Sequence, residues 1–327
     1  MYGKANSNVR KNKIKELAFL CKQYPFISIT ECHGGTVELE QTLNRFISSH
    51  YLFHSPVLRN GVPHPGSGGV AILIRRELLT GYSSFDPTES KININKKHFE
   101  IIVPGRVVKT SLFGFLADSK CLCIYSVHNE GLSNEQMTHV ESCMKRDLHL
   151  SQIHPESHCS VLIGDFNLPP RGSVPFSVQN PIPPNRNVAP RAISSTRPFQ
   201  SRWEKLLDLH TEIHFPQNTH YCSSSCTQNK LDRIFTSAPR SLQTLLKHNA
   251  GTIKDSIYWY SKGYSDHAPI FWSISIPDFN ATSQRFKIKK EWIMHPHYNQ
   301  RMSAFANLIN ESEISIAEHR DILILDS

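Results

Sequence analysis

In Ser160-Val161-Leu162-Ile163-Gly164-Asp165-Phe166-Asn167, an unbroken apolar run passes through a glycine and then presents an acid and an amide. The run reads as a short strand buried on both faces. Gly164 allows tight passage of the backbone. Because side chains alternate along an extended chain, Asp165 and Asn167 point to the same side. The same design recurs elsewhere: Ile27-Ser28-Ile29-Thr30-Glu31 carries a carboxylate where a strand emerges, and Leu231-Asp232-Arg233-Ile234-Phe235 puts a lone acid within one. Ser265-Asp266-His267-Ala268-Pro269 then pairs an acid with an imidazole ahead of a last apolar run.

Outward from these runs, further strands are expected at Phe26–Thr30, Gly69–Ile74, Phe99–Val103, Leu112–Phe115, Cys121–Val127 and Ile270–Ile276. Helical spacing joins Ile14, Leu17, Ala18, Phe19 and Cys21, and again Leu39, Leu43, Phe46 and Ile47. It returns at Met137, Val140, Met144 and Leu148, and at Trp203, Leu206, Leu207 and Leu209. Strands outnumber helices and several neighbours lack a helix between them, so a mixed or mostly antiparallel sheet system covered by helices fits best. The globular part is expected to end near residue 277, leaving 278–327 as an extension outside the core.

The 327 residues include 39% hydrophobic ones, enough for a real core and against wholesale disorder. Apolar runs such as Val70–Ile74 fall far short of the roughly 18 residues of a membrane span. The Lys/Arg-studded start, with Lys4, Arg10, Lys11 and Lys13, is unlike a secretory signal. The 8 cysteines are then expected as reduced thiols in an intracellular protein. A net charge of +8 favours an anionic partner. Residues 166–203 hold no acid but carry Arg171, Arg186, Arg191, Arg197 and Arg202 among many prolines, which suits contact with DNA phosphates.

Four acids at strand ends suit a hard divalent cation, which prefers oxygen ligands. A carboxylate-held metal beside a histidine is equipment for phosphate chemistry: metal and imidazole offset negative charge while one Asp takes a proton from water.

Gly164-Asp165-Phe166-Asn167, Leu231–Phe235 and Ser265–Pro269, in that order, resemble motifs of the endonuclease/exonuclease/phosphatase superfamily. With Ile29-Thr30-Glu31 and Gly68–Leu73 upstream, the chain is most similar to the apurinic-type endonuclease domain of non-LTR (LINE-type) retrotransposons, over about residues 5–277. The resemblance implies an α/β fold, a four-layered sandwich of two mixed, mostly antiparallel sheets flanked by helices. It implies a divalent-metal-dependent hydrolase that nicks double-stranded DNA with Mg2+ (or Mn2+), acting in the nucleus. Asp165 would activate the attacking water and Asn167 would hold the phosphate. His267 would stabilise developing charge, with Asp232 behind it. Glu31, Asp266 and Asn8 would hold the metal. Asn6 matches the family's first-strand Asn, and Tyr125 its strand-end Tyr that approaches the phosphate. The stretch Arg285–Pro296 resembles the segment joining such endonucleases to a reverse transcriptase.

The chain departs from that pattern in three places. Ser126-Val127-His128-Asn129 follows Tyr125 where Pro or Asn is usual, leaving Asn129 as a replacement amide; Val9-Arg10 stands for Gly-Leu; and few residues precede Asn6. The alternatives are a phosphoinositide phosphatase or sphingomyelinase-like enzyme of the same superfamily, and an inactive DNA-binding remnant. Lys230-Leu231-Asp232-Arg233 stands where phosphoinositide enzymes usually carry Trp-Cys-Asp-Arg. His210, His214, His220, Cys222 and Cys226 lack the second cysteine pair usual in structural zinc sites. Cys121 and Cys123 read as core and neighbour.

Overall fold

In the computed structural model, the strand at His158–Asp165 divides its side chains between two cores: Leu162 joins one, Val161 and Ile163 the other. The whole fold follows from that division. The structure describes residues 7–47, 49–64, 68–76, 98–113, 121–154, 158–179, 199–238 and 247–275. By backbone proximity the chain divides into Met1–Ser275 and Ile276–Ser327, and the second unit lies outside the described residues.

From the N-terminus the first unit forms α1 (Ser7–Gln23), β1 (Phe26–Thr30), α2 (Thr36–Ile47), β2 (His50–Ser55), β3 (Leu58–Arg59), β4 (Val62–Pro63) and β5 (Val70–Arg75). Next come β6 (Phe99–Val103), β7 (Val107–Phe113), β8 (Cys121–His128), α3 (Asn134–Ile153), β9 (His158–Asp165) and β10 (Phe176–Ser177). The last part holds α4 (Gln200–Leu207), β11 (Thr211–Glu212), β12 (His220–Cys222), β13 (Thr227–Asn229) and β14 (Asp232–Thr236). It closes with β15 (Lys247–Thr252), α5 (Ser256–Ser261) and β16 (Ile270–Ser275).

One sheet runs β1-β5-β2 and the other β11-β14-β9-β8-β7-β6. All their described pairings are antiparallel except β8 with β9, which α3 connects as a crossover. Val70, Ile72 and Ile74 meet Val108, Leu112 and Ile124 between the sheets. Ile14, Leu17, Leu39 and Leu43 cover the outer face of the smaller sheet, packing on Ala71 and Leu73. Met137, Val140 and Met144 of α3, with Trp203 and Leu206 of α4, cover the outer face of the larger one. The order is helix, sheet, sheet, helix: the four-layered α/β sandwich. No described helix is long and apolar enough to cross a membrane.

Ser133 and Gln136 start α3 as a capping box, each side chain accepting from the other's backbone N–H. The inward stripe of α3 includes Asp147, which is 1% exposed. Its carboxylate meets Lys109 Nζ at 2.5 Å and accepts from the Tyr125 hydroxyl at 2.6 Å.

Several expectations need correction. The strand expected at Leu112–Phe115 starts at Val107, because the Asp147 carboxylate lets Lys109 sit in a buried strand. The described chain opens on a helix at Ser7, so Asn8 lies on the first turn of α1, and Asn6 lies outside the described residues. Leu209 follows α4 and is exposed instead of continuing its apolar face.

Gly164 has φ +140°, and a Cβ there would lie 2.0 Å from the Val127 carbonyl oxygen. Gly164→Ala is therefore expected to cost about 1–3 kcal/mol in a denaturant melt, the usual penalty of overpacking. An unchanged midpoint would contradict the close approach of β8 to β9.

Candidate active site

The register that pairs β8, β9 and β14 sets His128 opposite Asp165, and Asp165 opposite Asp232, as one row across three strand ends. Paired residues share a face, here the side turned towards the smaller sheet. His128, Asp165 and Asp232 are all buried.

The row is completed from outside the sheet. His220 forms an isolated bridge with His267. Tyr221 N–H donates to the Asp266 carbonyl, and Ala268 N–H to that of Thr219. The buried Thr219 hydroxyl also accepts from the backbone N–H groups of Leu231 and Asp232, at 3.0 and 2.9 Å. Together these bonds dock the 265–268 loop against the start of β14. His267 Nδ1 thus donates to Asp232 Oδ2 at 2.7 Å, while its Nε2 lies 3.9 Å from Asp165 Oδ2. Burial opposes charge on this ring, but Asp232 and Asp165 outweigh it and push the pKa up to about 10. The two carboxylates thus favour the protonated ring.

Asp165 Oδ1 accepts from the Asn167 backbone N–H at 2.8 Å, a local turn that helps hold Asn167 at φ +51°. Glu31 also adopts a left-handed conformation, at φ +57°. Non-glycine residues there are uncommon and cluster at functional sites. Behind Glu31, Gly69 permits close passage: a Cβ on it would lie 2.1 Å from the Cys32 carbonyl oxygen.

Glu31 Oε1 lies 3.5 Å from His128 Nε2, which also has Glu130 Oε2 at 3.3 Å. Arg106 contacts His128 Nδ1 at 3.0 Å and Glu130 at 3.1 Å. Asp266 groups instead with His220 and His267. Glu31 and Asp266 do share Lys13 of α1: burial lowers its pKa, and the two carboxylates act to raise it. Glu31 itself groups with His128 and Glu130, so the two acids belong to separate clusters. The carboxylate oxygens of these clusters fit a hard divalent cation such as Mg2+ or Mn2+.

Three expected residues are taken up by structural contacts. Tyr125 is a correction: adjacent strand residues face opposite ways, so its ring enters the core under α3 and its hydroxyl bonds Asp147, away from the row. Asn129 is held by structure: its amide donates to the Phe166 carbonyl, and its Oδ1 accepts from Trp203 Nε1. It positions the chain after β9, and its carbonyl accepts from the Asn167 amide at 2.9 Å. Arg171 pairs with Glu204 at 3.4 Å and Asp208 at 2.9 Å. Arg186, Arg191 and Arg197 lie outside the described residues. The sequence reading weighed His220 only within a histidine–cysteine cluster and gave no site role to His128, Arg106, Glu130 or Thr219. Only the cross-strand register brings them to the site, though the clustering of His220 ahead of Leu231-Asp232 was a signal.

An imidazole held between two buried acids, with further carboxylates alongside, can serve phosphate-ester chemistry. The chain belongs to the endonuclease/exonuclease/phosphatase family, whose pattern it matches over residues 5–267. That family comprises hydrolases that generally use divalent metals. Among solved structures the chain is similar to TDP2 of D. rerio complexed with single-strand DNA product, at 13% identity and TM-score 0.43, covering 83% of this chain and 94% of that one. It is similar to an AP endonuclease from Archaeoglobus fulgidus, at 13% identity and TM-score 0.43, covering 82% and 96%. A third is the 3′ phosphatase NExo from Neisseria bound to product DNA hairpin, at 15% identity and TM-score 0.41, covering 82% and 95%. No curated protein matches this chain.

Proposed function

We propose that this protein is a divalent-metal-dependent endonuclease that nicks double-stranded DNA, of the target-site-cleaving kind found in non-LTR retrotransposons. The observation that carries the reading is His267, bonded to Asp232 at 2.7 Å and facing Asp165 at 3.9 Å. The catalytic assignments of Asp165, Asn167, Asp232 and His267 rest on that placement. The motif resemblance and the net charge of +8 support DNA as the substrate.

Asp165 accepts a proton from the attacking water, with one of its oxygens already fixed by the Asn167 N–H. His267 donates to a phosphoryl oxygen as negative charge grows there, and Asp232 holds its ring in orientation. Glu31 and Asp266, with Asn8, would hold the cation, which when bound neutralises phosphate charge and polarises the reacting centre. Mg2+ suits the carboxylates and Mn2+ is the ready substitute. Basic residues of the 166–203 segment, Arg191 among them, would position the duplex through its phosphates without reading sequence. Residues 278–327 would serve as a connection towards a reverse transcriptase, and the site of action would be nuclear.

A direct test offers wild-type protein supercoiled plasmid and a soluble inositol phosphate in Mg2+. Relaxed circles with an intact inositol phosphate are expected. Phosphate release with intact plasmid would replace the reading with a phosphatase. Salt-sensitive DNA retention without cleavage of either would mark a binding remnant.

A further inference from the structure

A second group of metal-competent side chains lies far from the catalytic row. Cys121 and Cys123 are two apart in β8 and so share a face, and His158 is the cross-strand partner of Cys121 in the parallel ladder. The two Sγ atoms are 3.6 Å apart, and Cys123 Sγ lies 3.7 Å from His158 Nε2. All three donor atoms fall within 4.8 Å of one another. Tetrahedral Zn2+, with bonds of about 2.3 Å to sulfur and 2.0–2.1 Å to nitrogen, sets edges of roughly 3.8 Å (S–S) and 3.6 Å (S–N). Two of the edges already match to within a few tenths of an ångström.

We infer that Cys121, Cys123 and His158 form a Cys2His site for a thiophilic divalent cation of the Zn2+ class, clamping the starts of β8 and β9. Binding breaks two S–H bonds and forms two S–metal bonds and one N–metal bond, and two protons leave to solvent. The two thiolates cancel the cation's charge, so the filled centre is neutral beside the buried Lys109–Asp147 pair. Ser111, opposite Cys123 on β7, places its Oγ 3.7 Å from Cys123 Sγ. The clamp sits at the opposite ends of these strands from Asp165 and His128. Seven residue steps of β8 separate Cys121 from His128, roughly 20 Å at the usual rise. Sulfur donors also select a different metal from the oxygen donors of the catalytic row.

The test uses the full chain, reduced and stripped of metal, with Co2+ as the probe. Wild type should develop the thiolate-to-cobalt charge-transfer absorption, saturating at one Co2+ per chain, and Zn2+ should bleach it. Cys121→Ser with Cys123→Ser should abolish the band, His158→Ala should weaken it at least tenfold in apparent affinity, and Cys222→Ser should leave it intact. Alkylation of folded wild type provides a second readout free of mutants: Zn2+ should slow labelling of Cys121 at least tenfold while Cys222 labels as before. A wild type without the charge-transfer band would overturn the site. So would a band that survives loss of both cysteines, or Cys121 labelling indifferent to Zn2+.

Discussion

His267→Ala is expected to slow DNA nicking by about 10²–10³-fold, the usual cost of removing one donor to developing negative charge. KM should change little, because the contact strengthens only as the phosphate gains charge. Asp232 touches the reaction through His267, so Asp232→Asn should also lose most of the rate, and the double variant should be little worse than either single one. Initial rates on supercoiled plasmid at matched stability measure this. Additive losses would show that the 2.7 Å bond between the two side chains has no catalytic role.

The largest effect on folding is expected at Asp147. Burial opposes its charge, yet the hydrogen bonds from Lys109 and Tyr125 outweigh it and hold its pKa below the ordinary carboxylate value. A depressed carboxylate pKa contributes stability that is present above the unfolded-state value and lost as pH falls through the folded one. Asp147→Asn at neutral pH leaves the buried Lys109 with only the more distant, exposed Glu100 at 3.9 Å, and breaking such a pair typically costs about 3–5 kcal/mol. For a domain of this size that lowers the melting temperature by roughly 10 °C. The same variant should lose less additional stability than wild type on acidification below about pH 4. Lys109→Met with Asp147→Leu should recover much of the loss, since it removes both charges. A melting point unmoved in Asp147→Asn would mean the pair is hydrated.

Asp165 and Asp232 of the candidate row were legible because they stand at the ends of apolar runs, where a carboxylate has no role in packing; His128 beside them was not. Val161–Ile163 announced β9, and Gly164-Asp165-Phe166-Asn167 announced what lies at its end. Lys109 and Asp147 were illegible for the opposite reason. Each reads as a solvated charge, and only the pairing of β7 with β8 beneath α3 brings them together. β2 and β15 were missed because His50, His54, His248 and Asn249 interrupt their apolar pattern. Tyr125 was misplaced by parity: one residue along a strand reverses the face, and the odd-numbered side chains of β8 enter the helix-side core. His158 as a neighbour of Cys121 depends on the β8–β9 register, which no local pattern encodes.

The central claim is that Asp165, Asp232 and His267, with Glu31 and Asp266 beside them, act together as one phosphodiester-cleaving site. Its most direct test is the rate of relaxed-circle formation from supercoiled plasmid by wild type and Asp165→Ala, each in Mg2+ and in excess chelator. Relaxed circles should accumulate only with wild type in Mg2+, with the rate for Asp165→Ala lower by about 10³-fold or more, as for loss of a proton acceptor together with its positioning. Equal nicking by Asp165→Ala, or nicking that persists in chelator, would contradict the account.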